Sequence, residues 1–358
     1  MKSKSKKIRV LVVDDSALMR KMLVELLSRD KGIEVVATAK DPYEARERLV
    51  EHRPDVMTLD VEMPRMDGVT FLEKVMQHFP VRTVVISAVT AEGSDTALKM
   101  LEIGAVDIIP KPTLEFAGSL TAISEMLASR IRNASEARLL PRLKSPQMVK
   151  PSASPGLVDG TERIVAIASS TGGTEALKIV VANLPKESPG ILVVQHMPPV
   201  FTKTYAQVLQ RLTTLKVKEA EHGDKVLPGQ VLIAPGNFHM ELARNGAMYF
   251  VQLHQKPPMH GVRPAADFLM QSVARLAGPN AVGVILTGMG RDGADGLLAM
   301  KQAGSFNIAQ DEATSVVFGM PKEAIKLGAI DEVLPVDRIA ESIVRALKKM
   351  QKATPKAA

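Results

Sequence analysis

IRVLVVDDSALMR, residues 8–20, decides the fold of the first half of the chain. The apolar run IRVLVV is typical of a buried parallel strand. Two aspartates, Asp14 and Asp15, follow this run directly, and apolar residues at helical spacing begin after Ser16. A strand that passes within a few residues into a helix is the repeating unit of a parallel α/β sheet.

The same alternation continues to about residue 134. Four more strands are predicted, with helices between them: IEVVATA (33–39), DVMTLD (55–60), TVVISA (83–88) and VDIIPKP (106–112). LTAISEMLASRIRNA (120–134) is predicted to be a helix that ends the series. Strands alternating with helices predict a doubly wound sheet, which we place at residues 8–125.

A linker and a second α/β domain are predicted to follow. The chain becomes rich in Pro, Ser and basic residues towards residue 160, and we place the linker at residues 126–160. Alternation resumes at RIVAIAS and predicts a second doubly wound domain over residues 161–350. Its further strand candidates are GILVVQHM (190–197), QVLIAP (230–235), MYFVQLHQ (248–255, as a hairpin strand) and AVGVILTG (281–288).

Composition limits the classes of function. A chain of 358 residues suits two domains, and its 46% hydrophobic and 24% charged residues are those of a soluble globular protein. The absence of Cys excludes disulfides, thiolate metal sites and a cysteine nucleophile. We expect a cytoplasmic protein without membrane insertion, because no signal peptide or apolar span is visible. The net charge of +7 forms no basic stripe interleaved with aromatics, so we expect no nucleic-acid binding.

Polar residues end four of the first five predicted strands. Asp14 and Asp15 end the first, Asp60 the third, Ser87 the fourth and Lys111 the fifth. The carboxyl ends of parallel strands meet in one crevice, so these side chains are expected together. Clustered carboxylates repel unless a hard cation such as Mg²⁺ joins them. Single strand-end aspartates are often helix caps, but the set favours a site that holds Mg²⁺ and a phosphoryl group.

These residues resemble a response-regulator receiver domain, a flavodoxin-like fold, over residues 8–125. The resemblance implies that Asp60 is the phosphoacceptor and that Mg²⁺ is held by Asp14 and Asp15 together with Asp60. It also implies that Ser87 is the switch hydroxyl and that Lys111 contacts the phosphate.

A second set of polar residues ends the strands of the second domain. ASSTGG follows one strand with two serines, Ser169 and Ser170, before a predicted helix. A serine on such a turn is exposed, and the amides of the helix N-terminus suit an oxyanion. His196 follows another strand, and Asp292 lies in the glycine-rich GMGRDG after a third. Together they could form a nucleophile, a base and an orienter.

Other functions fit each motif taken separately. STGG and GMGRDG could bind phosphate or a nucleotide, and a histidine after a strand is often structural. Strand alternation does not choose between Ser169 and Ser170. The second half could also be a binding module of a response regulator, or an inactive enzyme domain that serves as a phosphorelay scaffold.

Five motifs of the second domain together resemble the catalytic domain of the CheB family of chemotaxis protein-glutamate methylesterases. They are STGG, QHMP, APG with His239, the dipeptide Arg263-Pro264 and LTGMGRDG. The resemblance implies a Rossmann-like catalytic domain with Ser170 as nucleophile, His196 as base and Asp292 as orienter. Met289 would supply an oxyanion-hole amide, and Thr171 lies beside the nucleophile. Among the remaining histidines, His239 is expected to line the cleft, and the others to be structural or on the surface.

What the resemblance implies about function is an enzyme switched by phosphorylation. It would hydrolyse glutamate methyl esters on chemoreceptor cytoplasmic domains, deamidate receptor glutamines, and take its phosphoryl group from the chemotaxis histidine kinase. Mg²⁺ would be needed for phosphorylation, and no cofactor for the ester chemistry.

Overall fold

The structure is a computed structural model that describes residues 6–88, 90–112, 119–139 and 162–353. Its contacts divide the chain into two units, residues 1–142 and 143–358. Both are α/β units built on parallel sheets, which confirms the predicted fold class.

The first unit is a five-stranded parallel sheet with helices between the strands. The strands are β1 (Ile8–Val13), β2 (Ile33–Ala39), β3 (Val56–Asp60), β4 (Arg82–Ser87) and β5 (Asp107–Pro110). The helices are α1 (Ala17–Ser28), α2 (Pro42–His52), α3 (Gly68–His78), α4 (Ala91–Ile103) and α5 (Leu120–Glu136). The strand order β2-β1-β3-β4-β5 is that of flavodoxin-like folds, with its switch point between β1 and β3.

Side-chain caps define where these helices begin. Each helix is preceded by a residue whose side-chain oxygen accepts a backbone N–H of the first turn: Ser16, Asp41, Asp67, Thr90 and Ser119. Such caps satisfy donors that have no partner within the helix.

Helix α5 crosses the boundary that the sequence placed at residue 125. Ser124 Oγ donates to the Leu26 carbonyl at 2.8 Å, and Arg82 Nε donates to the Ala137 carbonyl at 2.6 Å. Leu127 and Ile131 are buried. Residues 126–136 of the predicted linker are therefore part of a helix packed on the first unit, because its apolar face is needed in that core. Residues 140–160 of the predicted linker lie outside the described residues.

The second unit is a seven-stranded parallel sheet and a separate antiparallel hairpin. The sheet contains β6 (Ile164–Ser169), β7 (Gly190–Gln195), β8 (Lys216–Glu219), β9 (Gln230–Ile233), β12 (Ala281–Ile285), β13 (Phe306–Gln310) and β14 (Glu332–Leu334), and the hairpin is β10 (His239–Asn245) with β11 (Met248–His254). The helices are α6 (Gly173–Ala182), α7 (Phe201–Gln210), α8 (Ala266–Leu276), α9 (Ala294–Gln302), α10 (Met320–Lys326) and α11 (Val336–Ala353).

The order of the second sheet is β14-β13-β12-β6-β7-β9-β8. From β6 the chain passes to β7 and then to the edge strand β8, and β9 inserts between β7 and β8. The chain then returns to the other side of β6 with β12. Loops after β6 and β12 therefore leave the sheet at a switch point, where open α/β sheets bind ligands.

Three strands of this sheet were not predicted, because their side chains lack the apolar pattern. KVKE forms the edge strand β8, and the short β14 forms the other edge. In β13 the buried Asn307 donates from Nδ2 to the carbonyls of Leu297 and Ala329, at 2.8 and 2.9 Å. Hydrogen bonds of this kind let a polar residue occupy a core strand. None of the helices in the described ranges is long and apolar enough to cross a bilayer.

Candidate functional sites

The first site lies at the switch point of the first sheet. Carboxylate oxygens of Asp14, Asp15 and Asp60 lie within 4.8 Å of one another, so the structure brings these predicted residues together. Asp14 and Asp60 are buried, whereas Asp15 is exposed. Lys111 Nζ lies 2.8 Å from Asp60 Oδ2, and Asp60 Oδ1 accepts the Val61 N–H at 2.8 Å.

The electrostatics of this site favour a bound cation. Burial, and then the charge of Asp60, raises the pKa of Asp14 from 3.8 to about 6. Burial also raises the pKa of Asp60, against the opposing effect of Lys111. Asp14 Oδ2 is buried with no hydrogen-bond partner among the described residues. An orphaned carboxylate oxygen beside two more carboxylates fits Mg²⁺, which prefers oxygen ligands.

Ser87 lies beside this site, but its hydroxyl is engaged elsewhere. It donates to the Gly93 carbonyl at 3.0 Å, in the first turn of α4, with the Ala88 carbonyl at 3.3 Å. Ser87 ends β4, whose Ile86 pairs with Asp60 of β3. In this conformation Ser87 therefore fixes the start of α4.

Sequence reasoning missed a contact in the loop after Asp60. The guanidinium of Arg65 bonds to Asp41, the cap of α2, and lies 5.4 Å from the ring centroid of Tyr43. Arg65 has a left-handed backbone with φ of 70°. The capping role of Asp41 was the signal available in the sequence, but its partner lies 24 residues away.

The second site lies at the switch point of the second sheet. Ser169 pairs in register with Gln195, so Ser170 and His196 are the next residues of two adjacent strand ends. The Ser170 N–H donates to the Thr287 carbonyl at 3.0 Å, which ties this turn to the loop after β12. That loop carries Asp292, so all three predicted residues leave neighbouring strands at one edge.

His196 and Asp292 form a buried pair. His196 Nε2 lies 2.7 Å from Asp292 Oδ2, and each residue is less than a tenth exposed. An ionised carboxylate only accepts hydrogen bonds, so Nε2 carries the proton and Nδ1 keeps the lone pair. Nδ1 is therefore the ring nitrogen available to accept a proton from a serine.

Helix α8 holds Asp292 through its first backbone amides. The Ala266 N–H donates to Asp292 Oδ2 at 2.6 Å, and the Asp267 N–H donates to Oδ1 at 3.1 Å. Burial acts to raise the pKa of Asp292, but the hydrogen bond and charge of His196 and these two amides outweigh it, and the pKa is lowered. Asp292 is thus a fixed anion behind the imidazole.

The two serines of ASSTGG have different surroundings. Ser169 is fully buried and donates from Oγ to Gln195 Oε1 at 2.6 Å. Gln195 Nε2 in turn donates to the Ser170 carbonyl at 2.9 Å. Ser169 therefore supports the turn, and this arrangement favours Ser170 as the nucleophile. The position of Gln195 beside His196 was visible in the sequence, but its contact with Ser169 was not.

Close backbone packing surrounds Ser170. A Cβ on Gly288 would lie 2.7 Å from Ser170 Cβ and 2.3 Å from Met320 Sδ, so this position admits only glycine. The Gly288 carbonyl accepts the N–H groups of Gly319 and Met320 at 3.0 and 2.8 Å, which fixes the peptide that leads into Met289. The turn after Ser170 enters α6 through Gly172, at φ of 76°.

Thr171, predicted to lie beside the nucleophile, is 3% exposed. Its Oγ1 is buried with no hydrogen-bond partner among the described residues. A buried hydroxyl without a partner is uncommon in native proteins. This hydroxyl next to Ser170 is therefore a candidate contact for a bound substrate.

His239 supports the site from within the core. It is fully buried, accepts the Ala265 N–H on Nδ1 at 3.1 Å and donates from Nε2 to the Pro257 carbonyl at 3.2 Å. Burial lowers its pKa, which favours this neutral form. Because Ala265 directly precedes α8, His239 fixes the start of the helix that holds Asp292.

Fold and sites together define a response regulator whose output unit has the make-up of a serine hydrolase. The family model described as "Response regulator receiver domain" matches residues 10–117, and the one described as "CheB methylesterase" matches residues 165–343. The chain belongs to the CheB methylesterase family.

Several relatives match almost the whole chain. A Bdellovibrio bacteriovorus protein named protein-glutamate methylesterase/protein-glutamine glutaminase is 54% identical over 96% of this chain and 98% of its own length. A Salmonella typhimurium protein of the same name is 49% identical over the same shares. The solved catalytic domain of Thermotoga maritima CheB methylesterase is 46% identical, with a TM-score of 0.51, and covers 52% of this chain and 99% of that domain.

Proposed function

We propose that this protein is a phosphorylation-activated hydrolase that acts on other proteins. It hydrolyses the methyl esters of glutamate side chains and the side-chain amides of glutamines. The observation that carries this proposal is the His196–Asp292 pair, held by the amides of α8 beside the strand end that bears Ser170. Relatives with this activity in their names align over nearly the full chain.

The reaction follows from the orientation of the imidazole. Ser170 Oγ attacks the γ-carbonyl carbon of the substrate while His196 Nδ1 takes the hydroxyl proton. His196 then gives that proton to the methoxide oxygen as the bond from the carbonyl carbon to this oxygen breaks, so methanol departs and an acyl-serine ester remains. A water loses a proton to the same nitrogen and attacks the acyl carbon. The bond from that carbon to Ser170 Oγ then breaks, His196 returns the proton to Oγ, and the glutamate side chain is released. Asp292 stabilises the imidazolium at each stage.

The oxyanion of the tetrahedral intermediate needs donors near Ser170. We assign the Met289 amide to this role, because the preceding Gly288 peptide is fixed against Ser170. We assign the Thr171 hydroxyl as a further donor, because Thr171 directly follows Ser170 and its Oγ1 has no hydrogen-bond partner among the described residues. Glutamine would follow the same path, with ammonia leaving in place of methanol.

Phosphorylation would occur at Asp60. Asp14 and Asp15, together with Asp60, would hold Mg²⁺, which would neutralise the carboxylates and the oxygens of the incoming phosphoryl group. Lys111, now bound to Asp60 Oδ2, would move its charge to the phosphoryl oxygens. Ser87 would bond to the phosphoryl group by leaving the Gly93 carbonyl, and that exchange would alter the start of α4.

The biological setting proposed is chemotaxis in the cytoplasm. The substrates would be methylated cytoplasmic domains of chemoreceptors, and the phosphodonor would be the chemotaxis histidine kinase. We place the receiver at residues 8–136, which extends the predicted 8–125 to the end of α5, and the catalytic domain at 161–350. The unphosphorylated receiver is proposed to restrain the catalytic domain.

The test is methanol release from methylated receptor fragments, with and without a small phosphodonor and Mg²⁺. The proposal predicts basal release that rises with the phosphodonor and disappears in Ser170→Ala. Release that does not respond to the phosphodonor would support the esterase activity and contradict its activation by phosphorylation. No release in either condition would contradict the proposed activity.

A further inference from the structure

A second histidine–carboxylate pair adjoins His196 and Asp292. His260 Nε2 lies 2.8 Å from Asp267 Oδ2. Asp267 is 1% exposed, whereas the side chain of His260 is 29% exposed. Polar atoms of His260, Asp267 and Asp292 all lie within 4.8 Å of one another. The proposed reaction assigns no task to this pair.

At this place the N-termini of two helices, α8 and α9, each bind a carboxylate that lies at the start of the other helix. Asp267 lies in the first turn of α8, and its N–H binds Asp292 Oδ1 at 3.1 Å. Asp292 directly precedes the turn into α9, and the Gly296 N–H in the first turn of α9 binds Asp267 Oδ1 at 2.7 Å. Each helix thus holds the carboxylate that the other helix end supplies, where its dipole favours negative charge.

These reciprocal hydrogen bonds require α8 and α9 to approach closely. A Cβ on Gly296 would lie 2.4 Å from Met270 Cβ and 3.1 Å from Asp267 Oδ1. Movement of the Asp267 side chain would therefore shift α9 against α8. Because α8 supplies both amides that hold Asp292, the same movement would displace the anion behind His196.

Keeping two buried carboxylates together costs free energy. Burial, and then the charge of Asp292, raises the pKa of Asp267, against the hydrogen bonds from Gly296 and His260. A buried charge is weak evidence for stability, since an apolar residue of similar size is often as stable. Placement against the proposed catalytic anion Asp292 points instead to a role in the chemistry.

A metal ion does not fit this cluster. Asp292 already accepts from His196, Ala266 and Asp267, so both of its oxygens are engaged. Both oxygens of Asp267 are also engaged, by His260 and Gly296. A cation here would have to break hydrogen bonds that the catalytic pair needs.

We propose that Asp267 and His260 are positioning residues for the esterase reaction. Asp267 joins the two helix ends between which Asp292 is held, and so keeps Asp292 in place behind His196. His260 holds the Asp267 side chain in place by donating the Nε2 hydrogen bond. The inference rests on the proposed function, because it assumes that His196 is the base.

The test uses full-length protein carrying Asp267→Asn, His260→Gln or His260→Ala, with kcat and KM for methanol release measured near pH 7.5. Asp267→Asn should lower kcat about tenfold, because Asp292 is then held less firmly behind His196. Its KM should be unchanged, because Asp267 is too buried to touch substrate. His260→Gln retains an N–H donor and should stay within about twofold of wild type, whereas His260→Ala should lose most of the activity lost in Asp267→Asn.

A matched control is available in the same domain. His222 is exposed, and its Nδ1 accepts the Leu253 N–H at 3.2 Å. His222→Gln and His222→Ala should leave kcat and KM unchanged. If Asp267→Asn folds poorly, the two His260 variants still decide the matter, since they alter a partly exposed side chain.

Three results would overturn the inference. The first is a kcat for Asp267→Asn within about twofold of wild type, or a KM that rises as much as kcat falls. The second is equal activity in His260→Gln and His260→Ala. The third is loss of basal wild-type activity on addition of a chelator, which would make the cluster a cation site. Absence of methanol release from the wild type would instead contradict the proposed function itself.

Discussion

Replacing Asp292 by Asn removes the charge behind His196 with almost no change in volume. The Asp292–His196 contact of 2.7 Å places the two charge centres about 4 Å apart when the imidazolium forms. At an effective dielectric constant of about 20, that attraction is worth about 4 kcal/mol. We therefore expect kcat to fall about 10³-fold, at about 1.4 kcal/mol per tenfold.

The hydrogen bonds make the same substitution costly for stability. Asp292 accepts three N–H groups, and an asparagine presents one acceptor oxygen and one NH₂ group. Whichever way the amide turns, its NH₂ faces at least one backbone N–H. An unsatisfied buried donor costs about 1–3 kcal/mol, so the melting temperature of the catalytic domain should fall by several degrees.

Steady-state methanol release near pH 7.5 measures the first effect, and thermal unfolding measures the second. KM should stay within about twofold, because Asp292 lies behind the imidazole at 2% exposure. Asp295→Asn is the matched control, since Asp295 lies three residues away and binds the exposed Arg291. A loss of less than tenfold in kcat for Asp292→Asn would refute the electrostatic reasoning.

Four further predictions concern other parts of the two sites. Ser170→Ala should abolish ester hydrolysis, whereas Ser169→Ala should retain it within about tenfold, as measured by methanol release. Ser169→Ala should also lower the free energy of unfolding by about 1–3 kcal/mol, because Gln195 loses its hydrogen-bond donor, and denaturant unfolding measures this loss. Gly288→Ala should reduce kcat more than 100-fold, because its Cβ would meet Ser170 Cβ at 2.7 Å, and a variant with wild-type kcat would contradict that contact. Asp60→Asn should keep basal release and lose the response to a phosphodonor. The folded pKa of Asp14 is above its ordinary 3.8, so ionisation destabilises the fold: the penalty is absent below pH 4 and complete above about 6. Asp14→Asn should therefore raise the free energy of unfolding at pH 7.5 without Mg²⁺, by up to about 3 kcal/mol, and unfolding titrations at pH 4 and 7.5 that show no such difference would refute this.

The sequence predicted the parts of this protein that local pattern controls. Apolar runs located β1, β3 and β6 because buried parallel strands need little else. Strand ends then predicted where Asp60, His196 and Asp292 lie, since carboxyl ends of parallel strands share one edge. Register in the sheet confirms that adjacency for β6 and β7.

Contacts between distant segments were beyond the reach of pattern. Nothing in KVKE marks an edge strand, because pairing with β9 defines it. His239 was expected to line the cleft, but it lies in the core next to the start of α8. Its hydrogen-bond partners, Pro257 and Ala265, are 18 and 26 residues away in the sequence. Asp267 was read only as part of a helix, because its partners Asp292 and Gly296 lie in another helix end.

The way in which α8 holds Asp292 limits how the sequence can change. Its two donors from α8 are main-chain amides of Ala266 and Asp267, and every residue except proline supplies the same N–H. Ala266 is fully buried, so substitution there is limited by space and not by hydrogen bonding. The proposed catalytic anion is therefore anchored by backbone geometry, and substitutions elsewhere that leave the start of α8 in place keep the orientation of the imidazole.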